Sequence, residues 1–482
     1  NSRFGDKISN QLLFTYTNID DTRGSNSSPF PFIDIMGGYE TAADGTVTQS
    51  LTPYMSLGYE LFSHNNRVQN KVFTVTDNFT YYAGEHKITA GFSYEHQLAN
   101  NAYMRGGTGY YRYRSLDDFL NGAAPETVGL AYGYGGETNP NAEVVFNQYG
   151  LYAQDEWNIL ENLKLTGGIR FDMISFNSDD LMRNNAIYDL DFGGRHIDTG
   201  AWPDGNVQIS PRIGFTWDVF GDKSLKVRGG TGLFAGRLPL VFFTNMPTNS
   251  GMVQNLVHAD TNYENGVVTA SDSRLQNFAG GLVTDVSKIR ELLGAPENIT
   301  PDQGTVPTEV AGVDKDFKMP QVWKSSLAVD YQLPVSFPLT LTGEFTYTKN
   351  VNAVILDNYN IKPIDETWER LQGADNRYLY PSDYRYYTKV GDNNFTNACV
   401  LTNTHKGYGW TFNLTATAEP VKNLYLMAAY THTVMKERSG MPGSNATSAW
   451  SGLYTVTGPH NVELQNSRYV IPDRVIASIS YK

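Results

Sequence analysis

The chain has one cysteine, Cys399, in 482 residues, so it can form no internal disulfide and no cysteine-built zinc site. It has no apolar run of the roughly 18–20 residues a membrane-spanning helix needs. Basic residues are in the minority: 37 Lys and Arg stand against 50 Asp and Glu, a formal net charge of −13. Such a chain lacks the cationic surface that nonspecific nucleic-acid binding requires, so no nucleic-acid partner is expected. Catalytic signatures are missing as well. There is no HExxH and no GxSxG, and the histidines at 64, 86, 96, 196, 258, 405, 432 and 460 form no close ligand pair. These absences predict a protein that is not an enzyme and needs no cofactor or metal.

What is abundant points elsewhere. Tyr (31), Phe (24), Trp (7) and Gly (45) together favour many strands and turns over helical bundles. The glycine-rich stretch KVRGGTGLFAGR, 226–237, raises the question of a phosphate loop, but Gly230 and Gly232 are followed by Leu233, Phe234, Ala235 and Gly236. Neither GxGxxG spacing nor a Gly-Lys-Ser/Thr ending is present.

Period-two alternation is the dominant pattern. In WTFNLTATA, Trp410, Phe412, Leu414, Ala416 and Ala418 share one strand face, and Thr411, Asn413, Thr415 and Thr417 the other. The same separation holds at Leu163, Leu165, Ile169 and Phe171; at Ile213, Phe215, Trp217 and Val219; at Leu339, Leu341, Phe345 and Tyr347; and at Val475, Ala477, Ile479 and Tyr481. The alternating segments run to about ten residues each, longer than the usual five or six.

Connections alternate between short ones, near 83–86, 159–162, 220–223, 334–338 and 419–423, and long ones, near 97–142, 175–209, 236–320, 349–406 and 436–471. A soluble sandwich has no reason to put every long loop at one end. An outer-membrane barrel does, with short periplasmic turns, long extracellular loops and strands that alternate apolar-out and polar-in. The fold class predicted is all-β: an antiparallel, up-and-down transmembrane β-barrel, represented by about a dozen strands.

On this reading 226–237 is an upward strand with Lys226, Arg228, Gly230 and Gly232 on its polar face. Its glycines either leave room for something pressed against the inner wall or relieve strain in a curved sheet. Two loop segments carry helix signals: 115–121 with Ser115 as cap and Asp117 and Asp118 in the first turn, and 285–293 with Val286, Ile289 and Leu292 at helical spacing.

At this point five stretches carry a resemblance: YGLYAQDEWNILENLKLTGGIRFD (149–172), SPRIGFTWDVFGDKSLKVRGGTGLFAGR (210–237), DKDFKMPQVWKSSLAVDYQLP (314–334), TNTHKGYGWTFNLTA (402–416) and PDRVIASISYK (472–482). The chain resembles the TonB-dependent outer-membrane receptors, and among them the Oar-like branch, whose full-length members carry a carboxypeptidase-regulatory-like domain near the N-terminus. The resemblance implies a Gram-negative outer-membrane location and a barrel of about 22 strands around an N-terminal plug. It also implies active uptake of a bulky nutrient, such as a peptide or glycan fragment, driven by the TonB complex acting on the plug. Outer-membrane lipid and a surface lipoprotein are the further partners implied. No plug-like segment or TonB-contacting box precedes KISNQLLFTYT, and no aromatic closing signal ends the chain. Residues 1–482 are therefore expected to be the central part of the receptor barrel, with the plug and N-terminal domain outside them. A passive porin and a surface adhesion or structural protein are the alternatives.

The segment GYYRYRS supplies candidate substrate contacts, Tyr110, Tyr111, Arg112, Tyr113 and Arg114, although loop self-packing accounts for it equally. Arg170, Asp172, Lys226, Arg228, Asp330 and Glu344, together with Glu156, Lys164 and Arg212, fall on polar strand faces and are candidates to face the lumen, where any barrel wall must be polar. Asp179-Asp180 and the DKD at 314–316 are weak calcium candidates, more simply solvated acidic loops.

The face assignment is directly testable. Arg at Leu165, Phe215 or Leu414 should cost about 2–4 kcal/mol if these positions meet lipid near the midplane, and Arg at Thr166, Thr216 or Thr415 much less. Denaturant titration of the refolded receptor measures both sets, and equal costs would mean the faces are assigned wrongly.

Overall fold

A strand in hydrocarbon has no water to satisfy its amides and carbonyls, so it survives only with a neighbour on each side. The computed structural model, which describes residues 1–45, 47–50, 52–177, 182–264, 267–391 and 393–482, follows this rule over one long sheet. Its wall strands are β1 (Ser2–Phe4), β2 (Ile8–Arg23), β3 (Asn66–Ala83), β4 (His86–Ala102), β5 (Ala142–Leu160), β6 (Leu163–Asn177) and β7 (Val207–Asp218). They continue as β8 (Leu225–Ala235), β9 (Gln321–Gln332), β10 (Leu339–Asn358), β11 (Tyr408–Val421), β12 (Leu424–Glu437) and β13 (Asp473–Tyr481). Each pairs antiparallel with the next in chain order. Among the described residues β1 pairs only with β2 and β13 only with β12, so the wall is open at these two edges.

Up-and-down order puts the connections at 84–85, 161–162, 219–224, 333–338 and 422–423 on one rim and every long loop on the other, as the alternation of loop lengths predicts. Two of these turns place a residue in the left-handed region, Gly84 with φ 59° and Asn423 with φ 70°. At the longer β7–β8 turn, Asp218 accepts from the Gly221 and Lys223 amides at 3.1 Å.

The outward face is apolar and uncovered. Leu151 and Ile213 are each 62% exposed and Leu327 52%, a surface that only lipid can cover. Aromatic side chains bracket it at a spacing of eight residues: Phe73 and Tyr81, Tyr149 and Trp157, Trp323 and Tyr331. Eight residues at about 3.3 Å each, on a strand tilted by about 40°, bring the two belts about 20 Å apart, close to the apolar height of an outer-membrane barrel.

Several strands are longer than the ten residues their alternation suggested, and β10 reaches 20. The excess lies above the belt. Leu339–Lys349 pairs with β11, whereas Ala353–Asn358 pairs with Asn397–Thr404, so the strand leaves the wall and continues into the loops.

The glycines of 226–237 have their answer in the same sheet. A Cβ on Gly229, Gly230 or Gly232 would lie 2.8–2.9 Å from a backbone oxygen of Ser326, Ile213 or Pro211, on the adjoining strands. They admit neighbouring backbone in a tightly curved sheet, which favours the second of the two readings.

On the loop-side rim the excursions build structure of their own. Strands 32–36 and 53–57 from the first loop, 110–113 and 127–133 from the second, and 254–264 and 267–271 from the fourth combine into one six-stranded sheet. Within it 32–36 runs parallel to 110–113, a pairing that the long path through the wall permits. The helices α1 (Leu116–Leu120) and α4 (Val286–Leu292) stand where the cap signals put them, with Ser115 and Asp285 as N-caps. Three more, α2 (Asn185–Tyr188), α3 (Val241–Asn249) and α5 (Ala446–Ser451), had no such signal read from the sequence. Of these α3 matters most. It packs against β4 and β5 near the loop-side rim, where Phe243 is fully buried and its ring lies 5.0 Å from that of Phe176 and 5.9 Å from that of Phe317.

Gly150 sets up a sharp comparison. An added Cβ there would collide with the Arg170 guanidinium and the Ser93 hydroxyl, which meet across it at 2.9 Å, while Gly167 has nothing within 4 Å. Gly150→Val should destabilise the refolded barrel by about 1–3 kcal/mol in urea titration. Gly167→Ala should change it by no more than about 0.5 kcal/mol.

Candidate functional site

Two polar regions are brought together by the fold, one along the wall and one under the loop sheet. The wall residues predicted to face the lumen do share a face, the one on which α3 packs. Arg170 holds Asp172 at 2.7 Å and lies 5.0 Å over the Tyr152 ring. Arg228 reaches Asp330 at 3.1 Å and Glu344 at 3.2 Å across β8, β9 and β10, and Thr342 donates to Asp330 at 2.8 Å. Glu156 likewise bridges Lys87 at 2.8 Å and Lys164 at 3.3 Å. Lys226 pairs in register with Asp330 without a salt bridge among the described residues. Asp172 is buried, whereas the Arg228 and Glu156 pairs are part-exposed and contribute about 0–1 kcal/mol each, lining the wall with mutually satisfied charge.

GYYRYRS is a strand, 110–113, followed by the α1 cap, and period-two alternation divides its residues. Tyr111 and Tyr113 are 0% and 2% exposed in a core with Ile33, Val128, Leu130 and Ile289, so they are closed to any surface ligand. Burial pushes the Tyr113 phenol up to about 12. Arg114 is committed to α1 through Asp118 at 2.7 Å. Only Tyr110 and Arg112 of the five candidates point to the opposite face, and that face lines a cavity of about 630 Å³.

The cavity is walled by two cross-strand rows of the loop sheet, Arg112, Thr127 and Asp260 in one and Tyr110, Gly129 and His258 in the next; Asp34 and Phe32 continue these rows beyond the lining. Gly129 is needed in its row, because a Cβ there would sit 2.8 Å from the His258 ring. Opposite stand the end of α3 at Thr248 and Asn249, the strand 309–313 with Glu309, and α5 with Thr447. Arg105, Gln254, His258, Asp260 and Glu309 were not singled out by sequence. Their only signal was alternation inside a segment long enough to read as loop.

Electrostatically the chamber is unfinished. Arg112 Nε, Thr127 Oγ1 and Gln254 Oε1 are buried with no hydrogen-bond partner, and all three line it. A buried polar group left unpaired costs about 1–3 kcal/mol, so such a wall is suited to water or a polar guest. Asp34 stands beside Arg112 in the row but makes no ion pair with it among the described residues; its carboxylate accepts from Tyr110 at 2.9 Å and from Ser56 at 2.5 Å. Burial, reinforced by Asp34, pushes the Tyr110 phenol up to about 12, so Tyr110 stays a donor. Burial also pushes the His258 imidazole down; Asp260 opposes this and Arg105 and Arg274 add to it. His258 is therefore neutral at pH 7.

The weak metal candidates gain little. Asp314 accepts from its own turn at the Asp316 amide, 2.9 Å, and from Thr402 at 3.1 Å; Asp179-Asp180 lies outside the described residues. Cys399 is buried beside Thr447, and burial pushes its thiol up.

Residues 1–482 match the family described as outer membrane beta barrel domain. Solved structures with similar folds include the outer membrane transporter YddB from Escherichia coli, at 11% identity over 89% of this chain and 40% of that one, TM-score 0.44. The F5-1 variant of the FrpB iron transporter from Neisseria meningitidis aligns at 10% identity, covering 92% and 54%, TM-score 0.38. The ferric-catecholate import receptor Fiu from E. coli K12 aligns at 12%, covering 92% and 47%, TM-score 0.37. The chain thus spans roughly half or less of the length of each. No curated protein matches it. With a lipid-facing antiparallel wall, turns on one rim and loops on the other, the chain belongs to the outer membrane beta barrel domain family and resides in the outer membrane.

Proposed function

We propose that the chain forms wall and loops of a TonB-dependent receptor of the Oar-like branch that imports a bulky nutrient, a peptide or glycan fragment. In this reading strands outside residues 1–482 complete the barrel, because an unpaired edge in hydrocarbon costs several kcal/mol per group. A plug inside the barrel couples it to the TonB complex, and a surface lipoprotein is a further partner. The protein binds, passes and releases its substrate without making or breaking bonds in it.

The observation that carries the proposal is the loop-side chamber: a cavity of about 630 Å³ with three unpartnered polar atoms, set between a loop sheet and segments that pack over the wall. Its volume falls within the roughly 300–1,000 Å³ of pockets that bury small ligands. A diffusion pore gains nothing from such a site, and it is poorly served by α3 packed over the inner wall. The five stretches that resemble the Oar-like branch support the same reading from the sequence side.

In cells lacking the TonB system, uptake of the nutrient should stop while binding at the cell surface persists. Uptake that survives the deletion would replace this reading with a passive porin. Surface binding in wild-type cells with no uptake at all would replace it with adhesion.

A further inference from the structure

The charges of the chamber are of both signs and are not paired with each other. The Arg112 side chain has no ion-pair or hydrogen-bond partner among the described residues, and Arg105 makes no ion pair there, lying over the Phe62 ring, 5.7 Å from its centre. Both guanidiniums act on Tyr110, so they stand on the same part of the wall. Asp260, on the far side of Thr127, makes no ion pair among the described residues; Arg274, which acts on it from a distance, is held by Asp272 at 2.6 Å.

We infer that the chamber takes short peptides with free ends, the α-carboxylate held by Arg105 and Arg112, and the α-ammonium by Asp260. This inference rests on the uptake reading above and names the substrate class of the same site. Spacing supports it. Arg112 and Asp260 sit two strands apart in one row, about 10 Å at 4.8 Å per strand, and an extended tripeptide separates its termini by about the same distance.

Charge balance selects among ligands. Glu309, the other lining carboxylate, accepts from Asn397 at 2.8 Å, whereas a neutral glycan would leave the two guanidiniums and Asp260 without an ion-pair partner, and an acidic glycan would satisfy the arginines at the expense of Asp260. A zwitterion satisfies both signs. Thr127 Oγ1 and Gln254 Oε1 lie on the same wall, where they can serve a peptide's amide groups, one as donor or acceptor and the other as acceptor. Leu61, Leu256 and Val310 give its side chains apolar contact.

The test uses the intact receptor purified in detergent and a mixed tripeptide library in three forms: free, C-terminally amidated and N-acetylated. Retained peptide is measured by mass spectrometry. The free form should be retained at least tenfold more than either blocked form. Arg112→Gln should abolish the discrimination against the amide, and Asp260→Asn that against the acetylated form. Equal retention of the three forms, or no retention of the free form, would overturn the inference. Blocking the ligand leaves the protein intact, so the result does not depend on the variants folding. Retention in detergent needs no TonB complex, so failed uptake in cells with retention intact would count against the transport reading alone.

Discussion

Everything in this molecule depends on pairing backbone amides where no water can reach them. In hydrocarbon an unpaired N–H or C=O costs several kcal/mol, so the chain is committed to a continuous antiparallel ladder from β1 to β13. That ladder forces side chains to alternate between lipid and lumen, and it leaves the irregular backbone to the rims. It also fixes the upper ends of β4, β5, β6 and β10 in place, and on these the loops build their own cores. The Phe146, Phe176, Trp202 and Phe243 cluster grows directly from wall strands into α3.

The wall was legible in the sequence because its physics is local and periodic. Leu165 beside Thr166, or Leu414 beside Thr415, states which face meets lipid without reference to any distant residue. Turn and loop lengths then set the sidedness. The site was legible only in part, for two reasons. GYYRYRS looked like an exposed loop because its neighbours are long and irregular, yet its alternation was that of a half-buried strand: Tyr111 and Tyr113 inward, Tyr110 and Arg112 toward the cavity. The other reason is distance. Thr127 and Asp260 are register partners separated by more than a hundred residues, and no local pattern pairs them. Helix α3 was missed because Leu240 caps it without a side-chain hydrogen bond and Pro247 lies inside it.

The chamber and its support are two faces of one sheet. Behind the strands, Ile33, Tyr111, Leu130 and Ile289 bury tightly and hold the backbone still; in front, Arg112, Thr127, Gln254 and His258 present polar groups at fixed positions. A ligand meeting such a wall finds donors and acceptors already ordered, so little side-chain freedom remains to be lost on binding. The neutral His258 and the protonated Tyr110 keep that pattern of donors and acceptors constant near pH 7.

The loop sheet draws its strands from three excursions that leave the wall between β2 and β3, β4 and β5, and β8 and β9. The hydroxyl of Tyr111 donates to the carbonyl of Val283, 172 positions along the chain. Contacts that remote in sequence carry a large loop-closure cost, and they become favourable only when something else has already brought the segments together. The wall is what does so: with β2 through β9 zipped, the bases of the three excursions are held on one rim. The site is thus a property of the three excursions together: each gives two of the six strands, so none can form the sheet alone.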